Sequence, residues 1–245
     1  MAPAAAPGPA RRALATGGAE LRVLQFNLCH GGQASCYTGD AVMAQALAVM
    51  EREQPDIVSL NEVCRSDIDA LAGVTYRGWF VPALDPADRP IACTNGEDYG
   101  IGMLHRVGRA SAVFGVYAAQ DGGGQRRAWM CSAFEDGAAA CVTHLSTVAW
   151  VAMKQCHELL DKNVPAHTGG RAAVVAGDFN LLYNRSVPWE PNVQDCVPDG
   201  FFRAGDGSVQ HVMASSAHLD LVATHVIDMQ RTTDHPALLV RLRRR

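Results

Sequence analysis

The chain has 245 residues, 48% hydrophobic and 19% charged, enough apolar material for the core of one large domain and too much for intrinsic disorder. With 21 basic against 25 acidic residues the formal net charge is −4, which excludes nucleic-acid binding through bulk positive charge but leaves room for a local phosphate site. No apolar run approaches the length that spans a bilayer, so no stable membrane anchor is expected.

In chain order, residues 1–20 mix Ala, Pro and Gly without apolar periodicity and read as a flexible leader; residues 21–245 read as one domain. From Leu21 to Asn27 apolar residues alternate at period two, a strand that runs into His30-Gly31-Gly32. Val42, Ala46, Leu47, Val49 and Met50 give residues 40–53 the spacing of an amphipathic helix, stopped by Pro55. A short apolar strand, Asp56 to Leu60, ends in Asn61-Glu62. A short helix near 66–72 and a strand near 74–81 precede a long loop, 82–98, with three prolines. Strands are expected at 99–105, 112–117, 127–134 and 139–145, and a helix at 148–161. Ala172 to Ala176 forms a buried strand entering Gly177-Asp178-Phe179-Asn180. A polar stretch spans 183–210, and strands at 218–224 and 236–242 close the chain. Strands outnumber helices, and hairpins mix with alternating elements, which is the pattern of a mixed α/β domain.

Eight cysteines are scattered with no C-x-x-C pair, which removes support for a zinc ribbon and points to disulfides in an exported protein. The first twenty residues lack the pattern of an export signal, so secretion implies a signal already removed. Cys131 and Cys141 flank the expected turn Glu135-Asp136-Gly137 symmetrically, so a hairpin would place them opposite one another as a disulfide. The other pairings stay open. Asn184-Arg185-Ser186 fits the glycosylation triplet.

Polar residues fall where these strands end: Asn27, Glu62, His144, and Asp178 with Asn180. Asp220 lies inside His-Leu-Asp-Leu-Val, and Asp234-His235 precede the last strand. Strand ends on one rim are where sites collect, because loops converge there on a rigid scaffold. The segments VLQFNL, DIVSLNEV, CVTHLS, VVAGDFN, HLDLVAT and TTDHPALLV, taken in this order, resemble the endonuclease/exonuclease/phosphatase superfamily, the pancreatic deoxyribonuclease-like group. The resemblance covers nearly the whole chain after the leader. It implies an α/β fold of two mixed β-sheets packed face to face and flanked by helices, a four-layer α/β/β/α sandwich. It also implies a divalent metal and hydrolysis of a phosphoester.

The chemistry assigns roles. A phosphodiester repels hydroxide, so a site must neutralise the phosphate and aim a water in line with the leaving oxygen. A hard cation, Mg2+ or Mn2+ with Ca2+ as a further option, is expected on Glu62, with Asn27 and Asp234 assisting. Asp178 is placed to orient or deprotonate the water, and Asn180 to donate to phosphoryl oxygens. His144 and His235 would donate to the phosphate, one of them protonating the leaving group. Asp220 would accept from His235 and fix its tautomer. Arg127, or Arg126 beside it, would grip the phosphate, and Tyr99 is a candidate for touching it. Two positions depart from the family's pattern: Asn61 stands where many members have Gln, and Tyr99 abuts Gly100. The resemblance also implies that Glu97 or Asp98 supplies the carboxylate that some members pair with the first histidine, His144. The remaining histidines read as structural, His30 least securely because it follows Asn27 onto the same rim. The resulting expectation is a secreted, monomeric, metal-dependent phosphodiesterase acting on DNA. A phospholipid or inositol-phosphate hydrolase and a non-catalytic binding protein are the rivals.

Overall fold

The computed structural model describes residues 20–106, 108, 110–135, 138–184 and 189–245; the leader thus lies outside the described residues except for Glu20, which opens the first strand. Twelve strands, numbered in chain order, build two six-stranded sheets. The first runs β11 (Leu219–Ile227), β12 (Ala237–Arg244), β1 (Glu20–Asn27), β2 (Ile57–Cys64), β4 (Tyr99–His105), β3 (Arg77–Pro82). The second runs β5 (Ala110–Val116), β6 (Ala128–Phe134), β7 (Ala139–His144), β8 (Ala173–Asp178), β10 (Gln210–Ser215), β9 (Phe201–Gly205). Among the described residues only β1–β2 and β7–β8 pair in parallel. Each parallel pair is joined by a helical crossover: α1 (Asp40–Glu53) in the first sheet, and in the second α3 (Ala149–His157) continued by a π-helical stretch and α4 (Val164–Thr168).

Period-two alternation sorts the strand side chains between layers. On β1, Leu21 and Val23 enter the core between the sheets with Met103, Met130, Val142, Val174, Val212 and Val240. Leu24 and Phe26 point the other way, against Val42, Val49 and Met50 of α1 and Ile68 and Leu71 of α2 (Arg65–Ala72). On the second sheet's outer face Val175 and Met213 pack on Ala152, Cys156, Leu159 and Leu160. This is the expected four-layer sandwich.

Three expectations need amendment. The helix over 148–161 does not run evenly: Glu158–Asn163 takes the wider π spacing, and Val164–Thr168 extends it. The stretch 183–210 is not all loop. It holds a 3-10 turn at Val193–Cys196 and the strand β9. The fully buried β10 between them and 218–224 was missed, because both its faces are covered and no alternation marks it. The Cys131–Cys141 disulfide is present, with the two residues in register across β6 and β7 and a Cα separation of 4.0 Å; Asp136 and Gly137 of its turn lie outside the described residues. Three more disulfides join Cys29 to Cys36, Cys64 to Cys93 and Cys156 to Cys196. No helix among the described residues is long and apolar enough to cross a membrane.

Candidate active site

The inner faces of the sheets turn from apolar to polar toward one end. Gln25 and Asn27 continue the face that Leu21 and Val23 begin, and Asn61 does so on β2. Opposite them the parallel register His144↔Asp178 brings the ends of β7 and β8 together. Gly177 is needed for that approach, since a Cβ there would meet the Thr143 carbonyl oxygen at 2.2 Å. Glu62 reaches this side by a bulge: Asn61 and Val63 pair with the adjacent residues Ile101 and Gly100, leaving Glu62 unpaired at φ 57°. Cys29 (φ 49°) and Asn180 (φ 50°) share this left-handed conformation at the same rim, backbone strain of the kind that collects at sites.

Beneath the rim, amides tie the sheets. Asn61 is fully buried; its Oδ1 accepts from Gln25 Nε2 (2.7 Å) and the Asp178 N–H (2.8 Å), and its Nδ2 donates to the Thr143 carbonyl (2.9 Å). Gln25 Nε2 also donates to Gln210 Oε1 (3.2 Å), and Gln210 Nε2 donates to the Pro236 carbonyl, fixing the turn that carries His235.

Above them lies a cleft of about 310 Å³ lined by Glu62, Tyr99, Arg127, His144, Asp178, Asn180, Asp234 and His235, so eight of the ten expected residues converge. Gln33, Ala34, Gln125 and Thr147, which carry no motif, line it too. Asn27 lies below. Its Oδ1 accepts from the Cys29 N–H (3.1 Å), while its Nδ2 donates to Glu62 Oε1 (2.9 Å) and Asp178 Oδ2 (3.0 Å), so its amide ties two carboxylates of the cleft together.

Asp220 is not in the site. It sits in register with Arg243 at the far end of β12 and accepts from Arg245 Nε (2.7 Å), eight residues and roughly 25 Å of strand from His235. Gln210, paired with Asp178 across β8 and β10, stands nearest the place foreseen for that acid. His235 Nε2 instead lies 3.6 Å from Asp178 Oδ2 and 3.7 Å from Asp234 Oδ1. Glu97 turns away to bond Ser66. Arg126 is engaged with Asp88, leaving Arg127 as the phosphate candidate. Among the other histidines, His30 is held by Asp67 at 2.8 Å.

The electrostatics suit an anionic ligand and a cation together. Burial pushes the Glu62 carboxyl above its ordinary range, with Asp178 and Asp234 adding to the effect and Asn27 opposing it. Burial likewise raises Asp178 against the pull of His235 and Asn27. His144 is driven well below its usual value by burial and by Arg127 and His235, so it is neutral. Burial raises the Tyr99 hydroxyl, keeping it a neutral donor. Arg127 is 8% exposed, and its Nε and Nη1 are buried without a protein partner, a cost that an anion in the cleft would relieve. Glu62, Asp178 and Asp234 line this one cleft and bring to it hard oxygen donors of the kind a divalent cation such as Mg2+ takes. Two other acid–cysteine groups, Cys29/Cys36/Asp234 and His30/Cys64/Asp67, have their sulfurs in disulfides.

Known proteins share this frame. The profile of the Endonuclease/Exonuclease/phosphatase family matches residues 24–235. A comparison with curated protein sequences finds no match. Among solved structures, the human Nocturnin catalytic domain with bound sulfate anion is 18% identical at a TM-score of 0.70, covering 92% of this chain and 95% of that one. An endonuclease/exonuclease/phosphatase from Beutenbergia cavernae is 23% identical (TM-score 0.69; 92% and 72% covered). D. rerio TDP2 complexed with single strand DNA product is 15% identical (TM-score 0.65; 91% and 98% covered). With the family profile spanning most of its length and the same two-sheet fold in these structures, the chain belongs to the endonuclease/exonuclease/phosphatase family.

Proposed function

We propose that this protein is a divalent-metal-dependent phosphodiester hydrolase that cleaves DNA, acting as a monomer outside the cytosol. One observation carries the hydrolytic reading: the half-buried carboxylate of Glu62 and the buried one of Asp178 share one cleft with Arg127, whose Nε and Nη1 have no protein partner. Glu62 and Asp234 would hold Mg2+ or Mn2+, which when bound supplies positive charge against the phosphoryl oxygens. Arg127 grips the non-bridging oxygens, and neutral His144 donates to one of them. Asp178, with Oδ1 fixed by the Asn180 N–H (2.9 Å), receives a proton from the attacking water, a task that suits a carboxylate of raised pKa. His235, beside Asp178 and Asp234, protonates the leaving oxygen. The family-level likeness to TDP2, crystallised with a single-strand DNA product, supports DNA as substrate, and four disulfides support an oxidising compartment.

A second reading has its own observation. Val148 and Trp150 follow β7, Leu182 and Trp189 follow β8, and all four are exposed, Trp189 at 74%. The segments leaving the two strands are tied together at their start, where Asn180 Nδ2 donates to the Leu145 carbonyl. An apolar rim there would suit a phospholipid headgroup substrate, with the aromatics at the lipid interface. Hydrolysis of plasmid DNA, sphingomyelin vesicles and inositol phosphates, each with and without Mg2+ or Mn2+, separates the readings. Plasmid nicking is expected to be fastest. Rapid lipid turnover with intact plasmid favours the second reading, and silence on all three overturns both.

A further inference from the structure

Cys29 lies two residues beyond Asn27 and is bonded to Cys36, closing a ring whose Gln33 and Ala34 face the cleft. The two sulfurs and a carboxylate oxygen of Asp234 lie within 4.8 Å of one another, so this disulfide neighbours the Asp234 carboxylate at the rim of the cleft. The Cys29 N–H also takes Asn27 Oδ1, which turns the Asn27 amide nitrogen onto Glu62. Cys64, two residues beyond Glu62, is bonded to Cys93. Three hydrogen bonds brace the first ring against the segments holding that second disulfide: His30 N to the Glu62 carbonyl (2.9 Å), Thr94 N to the Gly31 carbonyl (3.1 Å) and Gln33 Nε2 to the Ala92 carbonyl (2.7 Å). Gly31 lies on the Tyr99 ring so closely that a Cβ would come within 2.2 Å of it. The sulfurs of Cys131, Cys141, Cys156 and Cys196 belong instead to the outer core of the second sheet, with Leu159 and Val175.

We propose that the Cys29–Cys36 disulfide is a positioning element of the cation site, holding Asp234 directly and Glu62 through the Asn27 amide, so that divalent-cation binding requires the closed ring. The inference rests on the phosphodiesterase reading for the purpose of the cation, but the binding itself can be measured without substrate. It separates two quantities that a merely structural disulfide would move together. In the chain-entropy account a cross-link stabilises more as its loop lengthens. Cys29–Cys36 spans 7 positions and Cys156–Cys196 spans 40. The first therefore contributes less to the melting temperature than the second, yet it governs cation affinity, which the second leaves alone.

The test compares Cys29→Ser/Cys36→Ser with Cys156→Ser/Cys196→Ser by thermal melting, by Mn2+ titration calorimetry without substrate, and by kcat and KM for the hydrolysed phosphodiester. The Cys29/Cys36 variant is expected to bind Mn2+ about 10-fold more weakly or worse, as when groups that orient metal ligands are lost, with the smaller drop in melting temperature. The Cys156/Cys196 variant is expected to melt lower and bind Mn2+ as the wild type does. Gly31→Ala displaces the same ring from Tyr99 with the disulfide intact and is expected to weaken Mn2+ binding in the same direction, which keeps the test informative if the serine pair fails to fold. Unchanged Mn2+ affinity in the Cys29/Cys36 and Gly31 variants, or equal weakening in both serine pairs, overturns the proposal. A wild type that binds Mn2+ with this dependence but hydrolyses no phosphoester overturns the functional reading and leaves the positioning role standing.

Discussion

Burial of the Glu62 and Asp178 carboxyls carries a folding cost at neutral pH. An acid whose folded pKa lies above its unfolded value makes the native state bind more protons, so stability falls as pH rises from the unfolded pKa through the folded one. Both carboxyls are shifted upward by burial, and at neutral pH each therefore opposes folding of the metal-free chain. Glu62→Gln and Asp178→Asn are expected to cut kcat by about 100-fold or more while raising the metal-free melting temperature. Each 1 kcal/mol of relief is worth roughly 2–4 °C in a chain of this size, readable by scanning calorimetry in a chelator. The opposite sign applies at His30, whose pKa is raised first by its hydrogen bond to Asp67, with burial opposing. That pair contributes stability fully below the unfolded pKa of 6.5 and loses it as pH rises through the folded value. The stability gap between wild type and His30→Gln, measured by urea unfolding, is expected to be wider at about pH 5.5 than at about pH 8.5.

At the scale of elements, β1, α1, β4, β6 and β7 were legible because alternation or helical spacing stood between clear breakers, as in Leu21 to Asn27 before the glycines at 31 and 32. β10 was not legible. Gln210-His211-Val212-Met213-Ala214-Ser215 is buried throughout, and its polar residues point inward to bond, so neither face carries the sign of solvent. Asp220 in β11 is the acid that stands in an apolar run of the sequence, whereas the strand beside β8 is β10, which presents the neutral Gln210. Charge is conspicuous in a sequence and a buried amide is not. The amides nonetheless have measurable worth: Gln210→Ala would leave the Pro236 carbonyl without its donor and Gln25 without one acceptor. A loss of about 1–3 kcal/mol in chemical denaturation is expected, with lower kcat because the turn bearing His235 is released.

Across the whole molecule, positive charge is sparse at the cleft among the described residues. Arg106 bonds Asp56 and Gln54 at the opposite end of β2, Arg126 is engaged with Asp88, and Arg65 lies over the Phe80 ring; Arg185 lies outside the described residues. Among the described residues of this set, Arg127 alone lines the site. Binding to DNA should therefore weaken only gently with salt, with a log–log slope near about −1. Arg127→Ala should flatten that slope and lower kcat/KM, in a plasmid-nicking series across ionic strength. A steep slope, of the size several phosphate contacts produce, would show a wider basic surface than the described residues present.

The two sheets have the same strand pattern, a hairpin beside a parallel pair beside a second hairpin, but their chain paths differ. The second sheet uses β5 to β10 without interruption, while the first takes β1 to β4 and then waits for β11 and β12. β1 lies between β2 and β12. As the chain leaves the ribosome, the second sheet and its α3 crossover have every partner they need by Ser215. β1 has an open edge until Arg244 has emerged, a template for wrong pairing throughout synthesis. The half of the site on β7 and β8 can thus be in place well before the half bearing Asn27 and Glu62 is closed, which waits for β12 to return and cover β1.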